Sequence, residues 1–336
     1  MPPLLERLGV ELPVVQAGMG GGLSRHELAA AVSEAGGLGT IAVNGAEAIR
    51  RELAAARALT GKPIAVNVLL PFARRDWFEA AAEADVVVTF WGRPRRRTPG
   101  AWMHQCGSVE EARAAQAAGA DAVIVQGVEA GGHVRGTTPA LELLEQVREA
   151  LPPGYPLLLA GGIAEAADVR AALEAGATAV VAGTRFLLSE ESRAHALYKE
   201  RLLTADETVL TDLFGAGWPA PHRVVPNAAT AHSLGGVRPL VPIRGTKDER
   251  RTLFRAPSVN RVLNRLLAPG ARYTPPSLQL RMMRGQRPGG RILTPAGPTD
   301  DGPETLVDAG ALYAGETVGR IGAVRPAADL VRELAG

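Results

Sequence analysis

The sequence contains one cysteine, few aromatic residues and no long apolar run. The single Cys106 excludes a disulfide framework and is typical of a protein kept in a reducing compartment. No stretch reaches the 18 apolar residues expected of a membrane-spanning helix. The start Met-Pro-Pro-Leu-Leu-Glu-Arg lacks a basic-then-apolar leader. We therefore expect a soluble, cytoplasmic protein.

The chain as a whole also lacks a large excess of charge of either sign. Thirty-seven basic side chains against 35 acidic ones leave a formal net charge of +2, which predicts neither a nucleic-acid partner nor a membrane partner. The local exception is the run Arg93, Arg95, Arg96 and Arg97. Such a run is typical of a solvated loop, and the alternative is a patch for an anionic substrate or carrier.

A recurring junction between a helix and a strand organises the first part of the chain. Residues 118–123 (AGADAV) and 175–180 (AGATAV) are nearly identical, and residues 35–40 are a looser copy. In each copy an Ala-rich stretch ends at a glycine, and an apolar run without polar alternation follows. Such runs are typical of strands that are buried on both faces of a parallel sheet.

The pattern predicts eight strands and six helices within the first 190 residues. The strands are expected at 13–17, 38–43, 63–69, 85–90, 101–106, 122–127, 156–161 and 179–183. The helices are expected at 24–36, 45–60, 72–84, 108–119, 138–151 and 164–176, with capping boxes at Ser24 and Ser108. Alternating strands and helices in this number indicate an α/β protein with a (β/α)8 TIM barrel, and a doubly wound sheet is the alternative.

Two segments depart from the repeat. Residues 91–100 are too short and too rich in proline for a helix, so we expect the fourth helix of the barrel to be reduced or lost. A helix is expected near 190–204, irregular structure covering the barrel mouth over 215–300, and a returning helix over 326–334. We therefore divide the chain into a barrel, 1–204, and a C-terminal extension or lid, 205–336.

Glycines at the ends of the last two barrel strands predict a phosphate site. Gly161 and Gly162 follow one strand, and Gly183 and Thr184 follow the other. Because glycine leaves the backbone N–H groups uncovered, and because phosphates bind there in TIM barrels, the pair favours a phosphate-bearing ligand.

His133 is the strongest candidate for chemistry. It follows two glycines after the strand at 122–127, and imidazole can transfer a proton near neutral pH or interact with an anionic substrate. The other candidates are weaker. Alternation could point His104 and Cys106 into the barrel. A small, buried side chain is the better interpretation of Cys106. His104 could either fill the barrel interior or contact the substrate. Neither Cys/His nor carboxylate spacing predicts a metal site.

Several of these motifs together resemble the nitronate monooxygenases, formerly called 2-nitropropane dioxygenases. The matching strings are QAGMGG at 16–21, VNV at 66–68, VQGVEAGGH at 125–133, AGGI at 160–163 and AGTRF at 182–186. The resemblance covers residues 1–204 and returns at 312–316, where Glu316 stands in place of the family's Gln.

The resemblance implies FMN, oxidative denitrification of alkyl nitronates with dioxygen, and a small-molecule substrate. Carried over position by position, it makes His133 the catalytic residue. It implies that FMN is bound by Ala17, Gly18, Met19, Asn67, Gln126, Gly131, Gly162, Val181, Ala182, Gly183 and Thr184. No metal is implied.

Two departures from the family leave the substrate open. The Arg93–Arg97 loop would border the substrate, and the segment 215–300, with WPAPHR at 218–223, exceeds the family core. The main alternative is an FMN-dependent reductase that uses NAD(P)H, of the enoyl-acyl-carrier-protein or quinone type, which shares these motifs. A non-redox barrel for a phosphorylated ligand is the third possibility.

Overall fold

The computed structural model describes residues 3–234, 258–271 and 276–336. The chain divides into two compact units. The first unit comprises residues 1–129, 135–193 and 323–336, and the second comprises 130–134 and 194–322. The sequence-based division at residue 204 stays a prediction.

Eight parallel strands of the first unit form the predicted barrel. They are β1 (Val14–Gln16), β2 (Gly39–Ile41), β3 (Ile64–Leu69), β4 (Val86–Phe90), β5 (Ala101–Cys106), β6 (Ala122–Gln126), β8 (Leu157–Ala160) and β9 (Ala179–Ala182). They are ordered β1-β9-β8-β6-β5-β4-β3-β2, and a parallel bridge between Val15 and Leu38 joins the two ends. All eight predicted strands and the fold class are confirmed.

Six helices surround this sheet at the predicted places. They are α2 (His26–Glu34), α3 (Ala46–Leu59), α4 (Arg75–Ala81), α5 (Val109–Ala117), α6 (Ala140–Ala150) and α7 (Ala166–Glu174). The single turn α8 (Thr184–Leu187) was not predicted. No helix occurs between β4 and β5, as the prolines of 91–100 predicted. A short helix not predicted from the sequence, α1 (Pro3–Leu8), packs Leu4 and Leu5 against the interior cluster of the barrel.

The predicted C-terminal helix completes the wall of the barrel. It is α14 (Ala327–Ala335), and its buried Leu330, Val331 and Leu334 pack with Leu28 and Val32 of α2. Because α8 is only one turn long, α14 takes the place of the last full helix of the (β/α)8 pattern.

Alternation along β5 separates two layers of the core. Met103 belongs to the cluster inside the barrel, whereas Trp102 and Cys106 belong to the cluster between the strands and the helices. His104 has the parity of Trp102, and its Nδ1 lies 2.8 Å from Thr89 Oγ1. The possibility that His104 and Cys106 point into the barrel is therefore wrong, because the even-numbered residues of β5 face the helices and the odd-numbered ones face the interior. The interpretation of Cys106 as a buried small side chain is confirmed.

Neither predicted capping box is complete. The side chain of Ser108 accepts from the N–H of Glu111 at 3.3 Å, as expected, but the Glu111 carboxylate accepts from the N–H of Gly107 instead of that of Ser108. Ser24 instead accepts from the N–H of Met19 at 3.0 Å, which ties the turn after β1 to the start of α2.

The second unit combines a small antiparallel sheet with helices. Its strands are β7 (Gly132–His133), β10 (Val209–Thr211) and β11 (His222–Val224), in the order β10-β11-β7. Its helices are α9 (Ala196–Leu203), α10 (Ala228–Leu234), α11 (Ser258–Ala271), α12 (Pro276–Arg284), α13 (Thr305–Ala309) and a 3-10 turn, Glu316–Arg320. The expectation of irregular structure over 215–300 holds for only part of the described residues, because β11, α10, α11 and α12 interrupt it.

No helix in the described part of the chain is long and apolar enough to cross a membrane.

Candidate active site

Two of the predicted ligand-binding residues, Asn67 and Gln126, form one layer at the carboxyl end of the barrel. They lie in β3 and β6, two positions after Ala65 and Ile124 of the interior cluster. Because side chains alternate along a strand, they share the inward face. Three further predicted residues lie one or two positions beyond the ends of β1, β8 and β9: Ala17, Gly162 and Gly183.

Gly18 brings the first turn against the third strand. A Cβ atom on Gly18 would lie 2.4 Å from Cβ of Asn67 and 2.8 Å from its Cγ. Only glycine permits this approach. On the other side the N–H of Ala17 donates to the carbonyl of Ala182 at 2.9 Å. The predicted residues of the first, third and last strands are thus held together in the first unit.

We expect Gly18→Ala to destabilise the protein by about 1–3 kcal/mol, because an added methyl group forces Asn67 or the turn to move. Gly20→Ala is the matched control in the same turn, since a Cβ there meets nothing within 4 Å. Urea unfolding of both variants measures the difference. Equal midpoints for Gly18→Ala and Gly20→Ala would contradict the close contact with Asn67.

The glycines after β8 and β9 face open space. A Cβ on Gly162 would meet no atom within 4 Å, and one on Gly183 would meet only Cβ of Ala17, at 3.7 Å. Among the described residues no backbone hydrogen bond uses the N–H of Gly162 or Gly183. The first turn of α7 is different, because Asp168 already accepts from the N–H of Ala164 at 2.8 Å. The free donors at this edge are therefore those of the glycines, which is what a phosphate needs.

The remaining predicted residues of the first unit surround this layer. Val181 fills the barrel interior, Ala182 faces the helices and Thr184 begins α8. Met19 donates its N–H to Ser24, and Gln126 accepts from the N–H of Arg135 at 3.0 Å. All of them lie at or next to the carboxyl ends of the strands.

Gly131 and His133 belong to the second unit. His133 lies in β7 opposite His222 of β11. Gly131 packs against the chain at 314–315, where an added Cβ would lie 2.5 Å from the carbonyl carbon of Ala314. The segment 312–316, which carries the last part of the family resemblance, is therefore in contact with Gly131, two residues before His133.

Aromatic rings enclose the His133 imidazole. Trp218 stacks on it with ring centroids 3.8 Å apart and planes inclined by 24°. His222 lies 5.4 Å away, edge to face, and Tyr313 lies 5.6 Å away. Burial lowers the pKa of His133 well below its ordinary value of 6.5, and the neighbouring His222 lowers it further. His133 is therefore neutral at physiological pH.

His222 is a structural residue. Its Nδ1 lies 2.9 Å from the carbonyl of Ala220, and its Nε2 accepts from the N–H of Phe214 at 3.2 Å. The carbonyl requires a proton on Nδ1, and the amide requires none on Nε2, so one neutral tautomer is fixed. Burial also lowers the pKa of His222 to about 4. Of the two neighbouring histidines, only His133 is suited to proton transfer.

Comparison with known proteins agrees with this geometry. The nitronate monooxygenase family model matches residues 2–90 and 96–236. The chain belongs to the nitronate monooxygenase family. It is therefore a flavin-dependent oxidoreductase.

Individual relatives of this family member carry more than one activity in their names. A nitronate monooxygenase of Pseudomonas aeruginosa is 38% identical in an alignment of length 251, which covers 58% of this chain and 71% of that one. A Mycobacterium tuberculosis protein, (3aS,4S,5R,7aS)-5-hydroxy-7a-methyl-1-oxo-octahydro-1H-indene-4-carboxyl-CoA dehydrogenase, is 38% identical in an alignment of length 239, which covers 66% of this chain and 65% of that one. The nitroalkane oxidase structure from Streptomyces ansochromogenes has a TM-score of 0.69 at 29% identity, covering 99% of this chain and 96% of that one.

A buried ion pair accompanies the glutamate that replaces the usual Gln of this family. Glu316 Oε1 lies 2.9 Å from a guanidinium nitrogen of Arg223, and the two side chains are only 15% and 5% exposed. Arg223 also donates to Thr208 at 3.2 Å. The pair connects β11, the neighbour of β7, to the segment 312–316.

We expect Glu316→Gln to destabilise the protein by about 3–5 kcal/mol, because it leaves the Arg223 guanidinium buried without its counter-charge. The double variant Arg223→Met/Glu316→Gln removes both charges and should recover part of the loss. Glu79→Gln is the control, since its partner Arg75 is exposed and such pairs contribute little. Urea unfolding measures all three, and a double variant no more stable than Glu316→Gln would contradict the coupling.

The arginine run after β4 does not lie together at the carboxyl end of the strands. Arg96 pairs with Asp121 at 2.6 Å and donates to the carbonyl of Gly119, just before β6 begins. Arg97 lies over the ring of Phe78, 5.2 Å from its centroid. The loop therefore runs back along the wall towards the amino-terminal ends of the strands. The expectation that the whole run borders the substrate is wrong, because Asp121 and Phe78 hold its second half.

Sequence reasoning missed Gln105 and assigned no role to Glu129. Gln105 lies two positions after interior Met103, so it shares the layer of Asn67 and Gln126. Strand parity at β5 would have found it. Glu129, within the EAGGH string, accepts from the N–H of Ala140 and so caps α6.

Proposed function

We propose that this family member binds FMN at the carboxyl end of its barrel and oxidises alkyl nitronates with dioxygen to a carbonyl compound and nitrite. The observation that carries the proposal is the pair of open glycines, Gly162 and Gly183, at the ends of adjacent strands. Their uncovered N–H groups suit a phosphate monoester. When bound, the flavin supplies the electron-transfer chemistry, and the protein supplies binding and orientation.

The chain's own residues would divide the work as follows. Gly162, Gly183 and Thr184 hold the phosphate, while Asn67 and Gln126 offer amide groups that orient the ring system. Gly18 keeps the first turn close to Asn67. These are the residues that the family resemblance selects position by position.

His133 would accept the α-proton of the neutral nitroalkane, which gives the nitronate that the proposed reaction oxidises, because oxidation of the nitronate itself releases no proton. A neutral imidazole can accept a proton, whereas only a protonated one attracts an anion by its charge. The lowered pKa of His133 therefore favours the proton-transfer role over the electrostatic one. A small-molecule substrate and dioxygen are the expected partners, in the cytoplasm.

A reductase that uses NAD(P)H is the second candidate. It is favoured by the relative from Mycobacterium tuberculosis, whose name is that of a dehydrogenase at 38% identity. The Arg93–Arg97 run supports an acidic carrier less well than the sequence suggested, because Asp121 neutralises Arg96.

Anaerobic mixing of the purified protein distinguishes the two. We expect bleaching of the bound flavin by a preformed alkyl nitronate within turnover times, and only slow bleaching by NADH or NADPH. Rapid bleaching by a nicotinamide alone would establish the reductase. Mass spectrometry of the pigment released on heating tests FMN itself, and a colourless protein would overturn both candidates in favour of a non-redox phosphate barrel.

A further inference from the structure

Trp218 belongs to the segment 218–223, which the proposed function does not use. The family model matches this segment, so the expectation that it exceeds the family core is wrong. Trp218 is buried, with 7% of its surface exposed. Its backbone is fixed by a tight turn, in which the N–H of Trp218 donates to Gly215 at 3.0 Å and its carbonyl accepts from Ala220 at 2.8 Å. The backbone that carries the indole is therefore held by local structure.

The Trp218 indole covers one face of the His133 imidazole. A centroid distance of 3.8 Å with planes 24° apart is a stacked arrangement, in which the ring cannot rotate without losing the contact. The strand pairing of β7 with β11 fixes the backbone of His133 opposite His222. Backbone and ring of His133 are thus fixed by two separate contacts.

We propose that Trp218 is a positioning residue that holds the His133 imidazole in one orientation and shields one of its faces from water. The inference rests on the proposed function, in which His133 takes part in the chemistry. It assigns a role to Trp218, for which the family resemblance implied none.

The described rings packed around His133 carry no charge at neutral pH. Trp218 carries none, burial raises the pKa of Tyr313, and His222 is locked in its neutral form. Arg223, next to His222 in β11, is matched by Glu316. Removing the indole would admit water to the imidazole and so favour its protonated form.

NMR titration of the isotope-labelled full chain tests this without turnover. The His133 signal is assigned from the spectrum of His133→Asn. In the unaltered protein we expect it to titrate well below the ordinary midpoint of about 6.5. In Trp218→Ala the midpoint should move towards that value, and in Trp218→Phe, which keeps a stacking ring, it should stay low. Trp218→Leu replaces the alanine variant if that one does not fold, with the same expectation.

The pH dependence of turnover gives a second reading. If the midpoint in Trp218→Ala reaches about 6.5, kcat/KM should be about fourfold lower at pH 6 than at pH 8, since about a quarter of His133 would remain neutral at pH 6. The unaltered protein and Trp218→Phe should change little between these pH values. Trp91→Ala is the control, since it removes an indole that belongs to the first unit, and it should behave as the unaltered protein does.

The inference is overturned if His133 titrates alike in all Trp218 variants, or if Trp91→Ala moves it as far. A failure of the proposed function is distinct, because it would appear as absent nitronate oxidation while the NMR difference between Trp218→Ala and Trp218→Phe persists.

Discussion

Replacing His133 by Ala should lower turnover of the neutral nitroalkane by about 10²–10⁴-fold while leaving the flavin content unchanged. The magnitude is that of a lost general acid or base. The flavin should stay because the open glycines, Asn67 and Gln126 all belong to the first unit, whereas His133 lies in β7 of the second. Absorbance of the purified variant and steady-state oxygen consumption are the two measurements.

Two companion variants separate chemistry from packing. His133→Asn keeps a neutral polar side chain beneath the Trp218 indole and should lose nearly as much activity as His133→Ala. His195→Asn is the control, since the His195 ring only accepts from the N–H of Leu197 at the start of α9 and Asn can cap a helix in the same way. Unchanged turnover in both His133 variants would remove that residue from the reaction.

Replacing Gly183 by Asp should abolish FMN binding. The φ of Gly183 is −103°, and a Cβ there makes only ordinary contact with Ala17, so the fold itself accepts a side chain. A carboxylate at this position would place a negative charge where the phosphate is expected, with little water to screen it. Flavin content after purification and the affinity of the stripped protein for added FMN measure the effect.

Gly183→Asn is the matched variant, because it has the same shape as Gly183→Asp without the charge. It should retain weakened binding, and unfolding curves should show both variants folded. If Gly183→Asp is purified with a full complement of flavin, the phosphate does not lie at this strand end.

Much of the barrel could be predicted because its signals are local. Apolar runs bounded by glycine predicted each strand to within two or three residues, and the prolines of 91–100 predicted the missing helix. The helix α1 was missed because six residues carry too little periodicity, although Leu4 and Leu5 are buried by the barrel interior.

What could not be predicted depends on contacts between distant residues. The parity of β5 depends on its neighbours β4 and β6, so the inward side chain is Gln105 and not His104. The partner of Arg96 is Asp121, 25 positions away, and that of Glu316 is Arg223, 93 positions away. Periodicity within a segment carries no information about such pairs.

The position of α14 in the chain has a consequence for biosynthesis. This helix packs on α2, yet the ribosome must translate residues 194–322 before it can emerge. Until then α14 does not cover the apolar side chains of Leu28 and Val32, so the newly synthesised barrel exposes an apolar surface there. Because joining elements so far apart in sequence slows folding, we expect the packing of α14 on α2 to be a late step.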